Sequence, residues 1–212
     1  LRPLLKPAAD VSASKTSREH EIMVSPGGLV SIAGGKMTTC RVMGQQVVDA
    51  ALTELEKEHG MKGAKPSTTH LHPISGGDIG PDFCTQVSQV AERLGLKAQV
   101  ADRLASRYGG NFFAIAREVE ADPAAGEPMN GTAITPAEVR YAVREEMART
   151  LTDFMDRRSS LLYWRWDGGM AIAGQVAQEM GQLLAWTPAE RERQVAAYAA
   201  WVSANRAYRS QK

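Results

Sequence analysis

The sequence predicts an α+β chain in which a short strand-and-helix portion precedes an all-α C-terminal helical domain. Three observations carry that expectation. Two β-rich runs, "EIMV" and "LVSIA", flank Pro26-Gly27-Gly28 near the start. One amphipathic helical period follows them. From residue 83 onward the apolar residues recur at helical spacing and no strand pattern returns.

The two runs read as a β-hairpin turning on the Pro-Gly-Gly stretch. After Gly34-Gly35, the residues Met43, Val47, Val48, Ala51 and Leu55 repeat with the helical period. Thr38 or Thr39 is placed to cap that helix, and Gly60 to stop it. Residues 61–82, "MKGAKPSTTHLHPISGGDIGPD", are too rich in Gly, Pro, Ser, Thr and Asp to order as a helix or strand. The expected organisation is therefore residues 1–60, a linker over 61–82, and a helical bundle over 83–212. Within the bundle the apolar positions are Val87, Val90 and Leu94, then Val100 and Leu104, then Phe112, Ile115 and Val119. Two later helices open on the same letters, "TPAE", at Thr135 and Thr187. In each the threonine caps, proline takes the first helical position, and glutamate closes a capping box. The first is expected to run on through Val139, Val143, Met147, Leu151 and Met155, the second through Val195 and Val202.

Composition narrows the function classes. A chain of 212 residues that is 43% hydrophobic can bury a core. With a formal charge of +1 and no long Lys/Arg block, it offers no electrostatic case for a nucleic-acid partner. Cys40 and Cys84 lie far apart, which suits a reducing compartment and plain thiols. No run approaches a membrane span, and residues 1–20 lack a signal-peptide pattern, so the expected location is cytoplasmic or peripheral to a membrane. The start at Leu1-Arg2-Pro3 reads as a cut within something longer, and a fragment is expected.

The stretch "SIAGGKMTTCRVM" holds the densest chemistry. Glycines at the end of a strand admit a ligand against bare backbone. A helix starting near Thr38 turns its free N–H groups and dipole toward the same place, and Lys36 adds a full charge. The turn is suited to an anion. Its spacing matches neither a Walker loop nor GxGxxG. A phosphate, the edge of a reduced flavin that becomes negative, and a plain tight turn with a surface lysine all remain open on chemistry alone.

"LRPLLKP", "TSREHEI", "GLVSIAGGKMTTCRVM" and "VRYAVREEMARTLTDFMDRRSSLL" occur in an order and spacing that resembles the C-terminal part of the FAD-dependent glycerol-3-phosphate dehydrogenases. The resemblance implies that the strand-and-helix portion is the remnant of an FAD-dependent oxidoreductase domain. It assigns the substrate phosphate to Arg2 and Arg18, whose guanidinium groups offer bidentate donors. It assigns flavin contact to Gly34, Gly35, Lys36, Thr38 and Thr39, with Lys36 acting on charge at the reacting centre. The implied reaction takes a hydride from C2 of glycerol 3-phosphate to FAD, gives dihydroxyacetone phosphate, and passes electrons to quinone. Cys40-Arg41-Val42 departs from the Tyr-Arg-Lys that usually follows GGKxTT in that family. The GxGxxG element and the family's active-site histidine belong upstream and are absent from this sequence, so the chain alone is expected to be inactive, with the N-terminal FAD-binding half as its missing partner. Oxygen in place of quinone, peripheral contact with the inner face of the cytoplasmic membrane, and a homodimer all fit the resemblance. The alternative from another class is a helical interaction or DNA-binding module.

Other candidates are weaker. His70 and His72, with only Asp78 and Asp82 near in sequence, fall short of a metal site. Residues 96–119 have the outline of a helix-turn-helix with Gly109-Gly110 in the turn, but lack a basic face. In "RRSSLLYWRWDGG" the arginines and aromatics are expected to pack and to pair between helices, with a lipid-facing role left open.

Overall fold

The structure, a computed structural model, describes residues 19–210. The chain divides into two compact units, Leu1–Pro73 and Ile74–Lys212.

In the first unit, strands β1 (His20–Val24) and β2 (Val30–Gly34) form an antiparallel hairpin with Ile22 opposite Ile32 and Val24 opposite Val30. The turn closes as expected at the glycine pair, where the Gly28 N–H donates to the Ser25 carbonyl. Helix α1 (Cys40–His59) follows and stops at Gly60, which takes the left-handed conformation and donates to the Glu56 carbonyl. A short 3-10 turn, Thr69–Leu71, lies beyond it, and Arg41 of α1 reaches Thr69 Oγ1 at 3.2 Å. None of this unit's described residues is fully buried. Val48, on the predicted apolar stripe of α1, is 56% exposed.

The second unit is all helical among its described residues. Helices α2 (Phe83–Leu94), α3 (Ala98–Tyr108) and α4 (Phe112–Ala121) are followed by α5 (Pro136–Arg144). A π-helical turn (Asp153–Arg158) leads to the short α6 (Leu161–Trp164), then to α7 (Met170–Leu184) and α8 (Pro188–Arg206). Two cores form. Val100, Leu104, Phe112 and Ile115 fill one, and Leu151, Phe154, Ile172, Met180 and Tyr198 fill the other. Helix α5 serves both, giving Ala137 and Tyr141 to the first and Val139, Ala142 and Val143 to the second. The α3–α4 pair with its 3-10 turn Gly109–Asn111 is thus part of a core. That turn also receives the segment after residue 74. The Gly110 N–H donates to the Gly76 carbonyl, and a Cβ on Gly109 would stand 2.1 Å from the same oxygen.

Both TPAE helices start as read, since Thr135 Oγ1 and Thr187 Oγ1 accept from the N–H groups of Glu138 and Glu190. The return arm of each capping box does not form. Glu190 turns to Arg193 and Gln194. Glu138, fully buried, accepts two bonds from the Arg103 guanidinium (2.6 and 2.8 Å) and one from the Tyr108 hydroxyl (2.9 Å). Burial and the adjacent Glu138 charge push the Tyr108 phenol well above its ordinary pKa.

The expected run through Met147 is interrupted. Helix α5 ends at Arg144, and Met147 adopts φ 57° with 77% of its surface exposed. The break is held from both sides. The Ala148 N–H returns to the Ala142 carbonyl, and Arg158 grips the Glu146 carbonyl through Nε and Nη2. A new start follows, with Asp153 accepting from the N–H groups of Arg149 and Thr150. Burial raises the Asp153 pKa, but these bonds, the Thr150 hydroxyl and Arg157 outweigh it and hold the carboxyl below its usual range.

Glu138→Ala strands a guanidinium and a phenol that were sited for a carboxylate. The expected cost is about 3–5 kcal/mol, whereas Glu138→Gln, which retains an acceptor, costs less. Urea denaturation followed by circular dichroism measures both, and a loss below about 1 kcal/mol for the alanine variant would contradict the role given to this cluster.

Candidate functional site

The glycine turn is assembled from the end of β2, the start of α1 and the first residue of β1. Gly34 pairs across the hairpin with His20. It and Gly35 take φ values of 78° and 97°, which only glycine adopts without strain. Lys36 returns to extended backbone, Met37–Thr39 form a 3-10 turn, and α1 begins at Cys40.

The volume that a Cβ on Gly35 would take is already filled. Such an atom would lie 2.5 Å from Met43 Sδ and Cε and 3.3 Å from His20 Cβ. Gly35 therefore serves the protein's own packing on that side. His20 Nε2 also lies 2.5 Å from Gln46 Oε1, so the start of β1 is joined to the second turn of α1 beneath the glycines. The sequence reading missed His20, Met43 and Gln46. The signal available was the spacing of Met43 and Gln46 on one helix face, and the hairpin register that returns His20 to Gly34.

Thr39 occupies the N-cap position of α1, yet its hydroxyl donates to the Lys36 carbonyl at 2.9 Å and caps nothing. The 3-10 turn before it has no side-chain cap either. The Thr39 and Cys40 N–H groups donate to the Lys36 and Met37 carbonyls of the 3-10 turn, and no side-chain oxygen caps the start as Thr135 and Thr187 do elsewhere, while Lys36, Met37 and Thr38 are exposed beside it. A helix start with positive dipole, no capping side chain and a neighbouring ammonium is an anion-binding arrangement. The structure brings Gly34, Gly35, Lys36, Thr38 and Thr39 together in one turn. Arg2 and Arg18 lie outside the described residues.

A groove of about 600 Å³ in the same unit is lined by Glu54, Leu55, Glu58 and His59 of α1 and by the hairpin turn. It lies at the far end of α1 from Lys36, and its two carboxylates disfavour a phosphate. Among the described residues no group of three His, Cys, Asp or Glu side chains is placed to hold a metal ion.

A family model described as the C-terminal domain of alpha-glycerophosphate oxidase matches residues 67–191. The chain belongs to that family. Over 207 residues it is 36% identical to a glycerol-3-phosphate dehydrogenase of Mycobacterium leprae, covering 96% of this chain and 34% of that protein. Over 169 residues it is 37% identical to the aerobic glycerol-3-phosphate dehydrogenase of Bacillus subtilis, covering 77% of this chain and 30% of the relative. Among solved structures, the glycerol-3-phosphate dehydrogenase of Bacillus halodurans complexed with FAD aligns with a TM-score of 0.67 at 28% identity, over 86% of this chain and 37% of the other. The chain thus spans about a third of the length of these relatives. The oxidase C-terminal family match runs through α2 to α7, while the glycine turn lies before it and is reached by the longer alignment to the Mycobacterium leprae protein.

Gly35→Ala forces Met43 and His20 outward and strains the backbone. The expected destabilisation of this unit is about 1–3 kcal/mol, with part of it relieved by Met43→Ala in the same chain. Hydrogen exchange at the β1–β2 amides measures this. Unchanged protection in Gly35→Ala would show that the turn tolerates a side chain.

Proposed function

We propose that this chain is the C-terminal portion of an FAD-dependent enzyme that oxidises glycerol 3-phosphate to dihydroxyacetone phosphate and delivers the electrons to quinone. The observation that carries the reading is the uncapped start of α1 at the Gly34-Gly35-Lys36 turn. It occurs in a chain similar over most of its length to glycerol-3-phosphate dehydrogenases, one of them solved with FAD.

The residues present fit such a group, because a flavin and a phosphorylated substrate both carry negative charge suited to the positive end of a helix and an exposed ammonium. FAD supplies a two-electron acceptor for the hydride on the substrate's C2. Lys36 and the N–H groups at the helix start hold and stabilise negative charge at the reacting centre, with Gly34, Gly35, Thr38 and Thr39 bordering the cofactor. Arg2 and Arg18 take the phosphate dianion in bidentate fashion and orient C2. The first unit, with no fully buried described residue, is in this reading part of a larger flavin domain contributed by the N-terminal half.

A lipid-soluble quinone acceptor implies work at the inner face of the cytoplasmic membrane. No helix among the described residues is long and apolar enough to cross one. The family's oxidase description favours a second reading, in which oxygen is the acceptor and peroxide forms.

The test is dye reduction by the full-length protein with glycerol 3-phosphate against free glycerol, with bound FAD quantified and peroxide assayed in the dye-free reaction. Reduction by the phosphate ester alone, with stoichiometric FAD, is expected. Bound FAD without reduction would change the substrate, and absence of FAD would remove the reading. Lys36→Met is expected to slow flavin reduction on the order of 10²-fold with a smaller effect on substrate affinity. Equal stopped-flow reduction rates in the two proteins would take Lys36 out of the chemistry.

A further inference from the structure

Lys36 sits on a joint. Gly34 and Gly35, both at positive φ, connect the end of β2 to Lys36 and the 3-10 turn that opens α1. A glycine pair has neighbouring backbone states within easy reach, so the joint alone does not define the direction in which α1 leaves the hairpin. On its far side the Lys36 carbonyl accepts from the Thr39 N–H (3.0 Å) and from the Thr39 hydroxyl (2.9 Å). Lys36 therefore moves with the start of α1. The helix is weakened close by, since Gly44 in its second turn is exposed and has open space where a Cβ would stand.

The joint is spanned from β1. His20 faces Gly34 at the end of the ladder, and its Cβ lies 3.3 Å from where a Cβ on Gly35 would stand, beside Met43. Its ring reaches α1, with Nε2 2.5 Å from Gln46 Oε1. An amide oxygen only accepts, so His20 Nε2 carries the proton of that bond. Met43 and Gln46 are three residues apart and share one face of the helix. The bond joins exposed side chains, and such a bond adds little to the stability of the unit. Its effect is geometric. Contact at Gly35 alone leaves α1 free to tilt about its root, whereas Gln46 fastens it about 9 Å beyond Cys40, and two points fix a direction.

We infer that His20 and Gln46 are positioning residues for Lys36: their hydrogen bond braces α1 across the glycine joint and so sets where the Lys36 ammonium stands. The work assigned to that ammonium rests on the reading under Proposed function. Stabilisation of charge at a reacting centre depends steeply on placement, and a displacement of about 1 Å there costs on the order of 10²-fold in rate. Because the brace acts through Lys36, its loss slows the step that Lys36 serves. Where Lys36 is itself absent, the brace has nothing left to position.

The deciding experiment uses the full-length protein with bound FAD. His20→Phe keeps a ring beside Gly35 and removes the N–H donor, Gln46→Leu removes the acceptor, and Gln46→Glu retains one. His20→Phe is also combined with Gln46→Leu and, separately, with Lys36→Met. Stopped-flow traces across a range of glycerol 3-phosphate concentrations give the limiting rate of flavin reduction and the substrate Kd. The limiting rate is expected to fall about five- to tenfold in His20→Phe and in Gln46→Leu, with Kd and FAD content nearly unchanged. The His20→Phe/Gln46→Leu double variant is expected to be no slower than either single one, Gln46→Glu to stay within about twofold of the parent, and His20→Phe to change the Lys36→Met rate by less than about twofold. Parent rates in both single variants, losses that multiply in the double variant, or an equal loss with and without Lys36 would each overturn the inference. Hydrogen exchange over residues 33–39 is measured on the same samples and is expected to be faster in His20→Phe than in the parent, and unchanged exchange would also overturn it. Faster exchange in a parent protein that binds no FAD, or is not reduced by glycerol 3-phosphate, would leave the brace standing and remove the reading of function. Reduction by glycerol 3-phosphate that His20→Phe leaves unaltered would do the reverse.

Discussion

The buried carboxylate of Glu138 is the constraint on which the helical unit depends. Among the described helices α5 is the one that contributes to both cores, and it carries the Glu138 charge into a fully buried position. The charge is tolerated because Arg103 meets it with two bonds and Tyr108 with a third, leaving few acceptor sites unused. Those partners lie on α3, so the same contact sets the position of α3 against α5. Arg140 and Arg144 extend the arrangement from the other flank of α5. Arg140 bridges Asp122 and Glu179, and Arg144 pairs with Glu118. A helix held by apolar contact alone could slide or rotate at small cost. One held by directional bonds to α3, α4 and α7 has a single register.

The helix starts differ in a way that bears on function. Thr135 and Thr187 cap α5 and α8 with their hydroxyls, as a helix built only for stability is expected to do. At α1 two threonines are present and neither cap forms, because the Thr39 hydroxyl turns back to the Lys36 carbonyl. Helices α2, α3 and α4 likewise start without a side-chain cap, so what sets α1 apart is the combination of its start with Gly34, Gly35 and the exposed Lys36. A forgone cap is worth about 1 kcal/mol of helix stability. At this turn the packing of Met43 and His20 against Gly35 fixes the backbone beside Lys36.

Much of this was legible in the sequence, for physical reasons that also explain what was not. Periodicity identified α1 and the helices from α2 onward, and the Pro-Gly-Gly turn and Gly60 stop followed from glycine's access to left-handed backbone. The break at Met147 was hidden. Val139, Val143, Leu151 and Met155 are all buried, so a four-residue spacing runs through the interruption as though one helix continued. What breaks it is tertiary, the Arg158 grip on the Glu146 carbonyl, and a local pattern cannot contain it. The capping boxes were misread in their second half, since Glu138 meets the distant Arg103 and Glu190 turns to Arg193 and Gln194 in its own helix. At the candidate site the glycine-lysine-threonine turn was legible, while the packing of Met43 and His20 against one side of Gly35 was not, because it depends on the hairpin register that returns His20 to Gly34.

The two units differ in what each can sustain. Among its described residues the helical unit closes two cores and satisfies the fully buried Glu138 carboxylate, leaving only Glu146 Oε2 buried without a hydrogen-bond partner. The hairpin and α1 leave Leu29, Met37 and Val48 more than half exposed, and a two-stranded sheet with one helix is marginal in water. The anion-binding turn sits on the weaker unit. Its geometry is set locally by glycine conformation and the His20–Gln46 contact, but the rigidity that charge stabilisation requires must come from whatever covers that apolar surface. The role proposed for Lys36 is therefore coupled to assembly: a charge preorganised by a completed domain acts on developing charge at full strength, while the same group on an uncovered hairpin relaxes toward water and loses most of its effect.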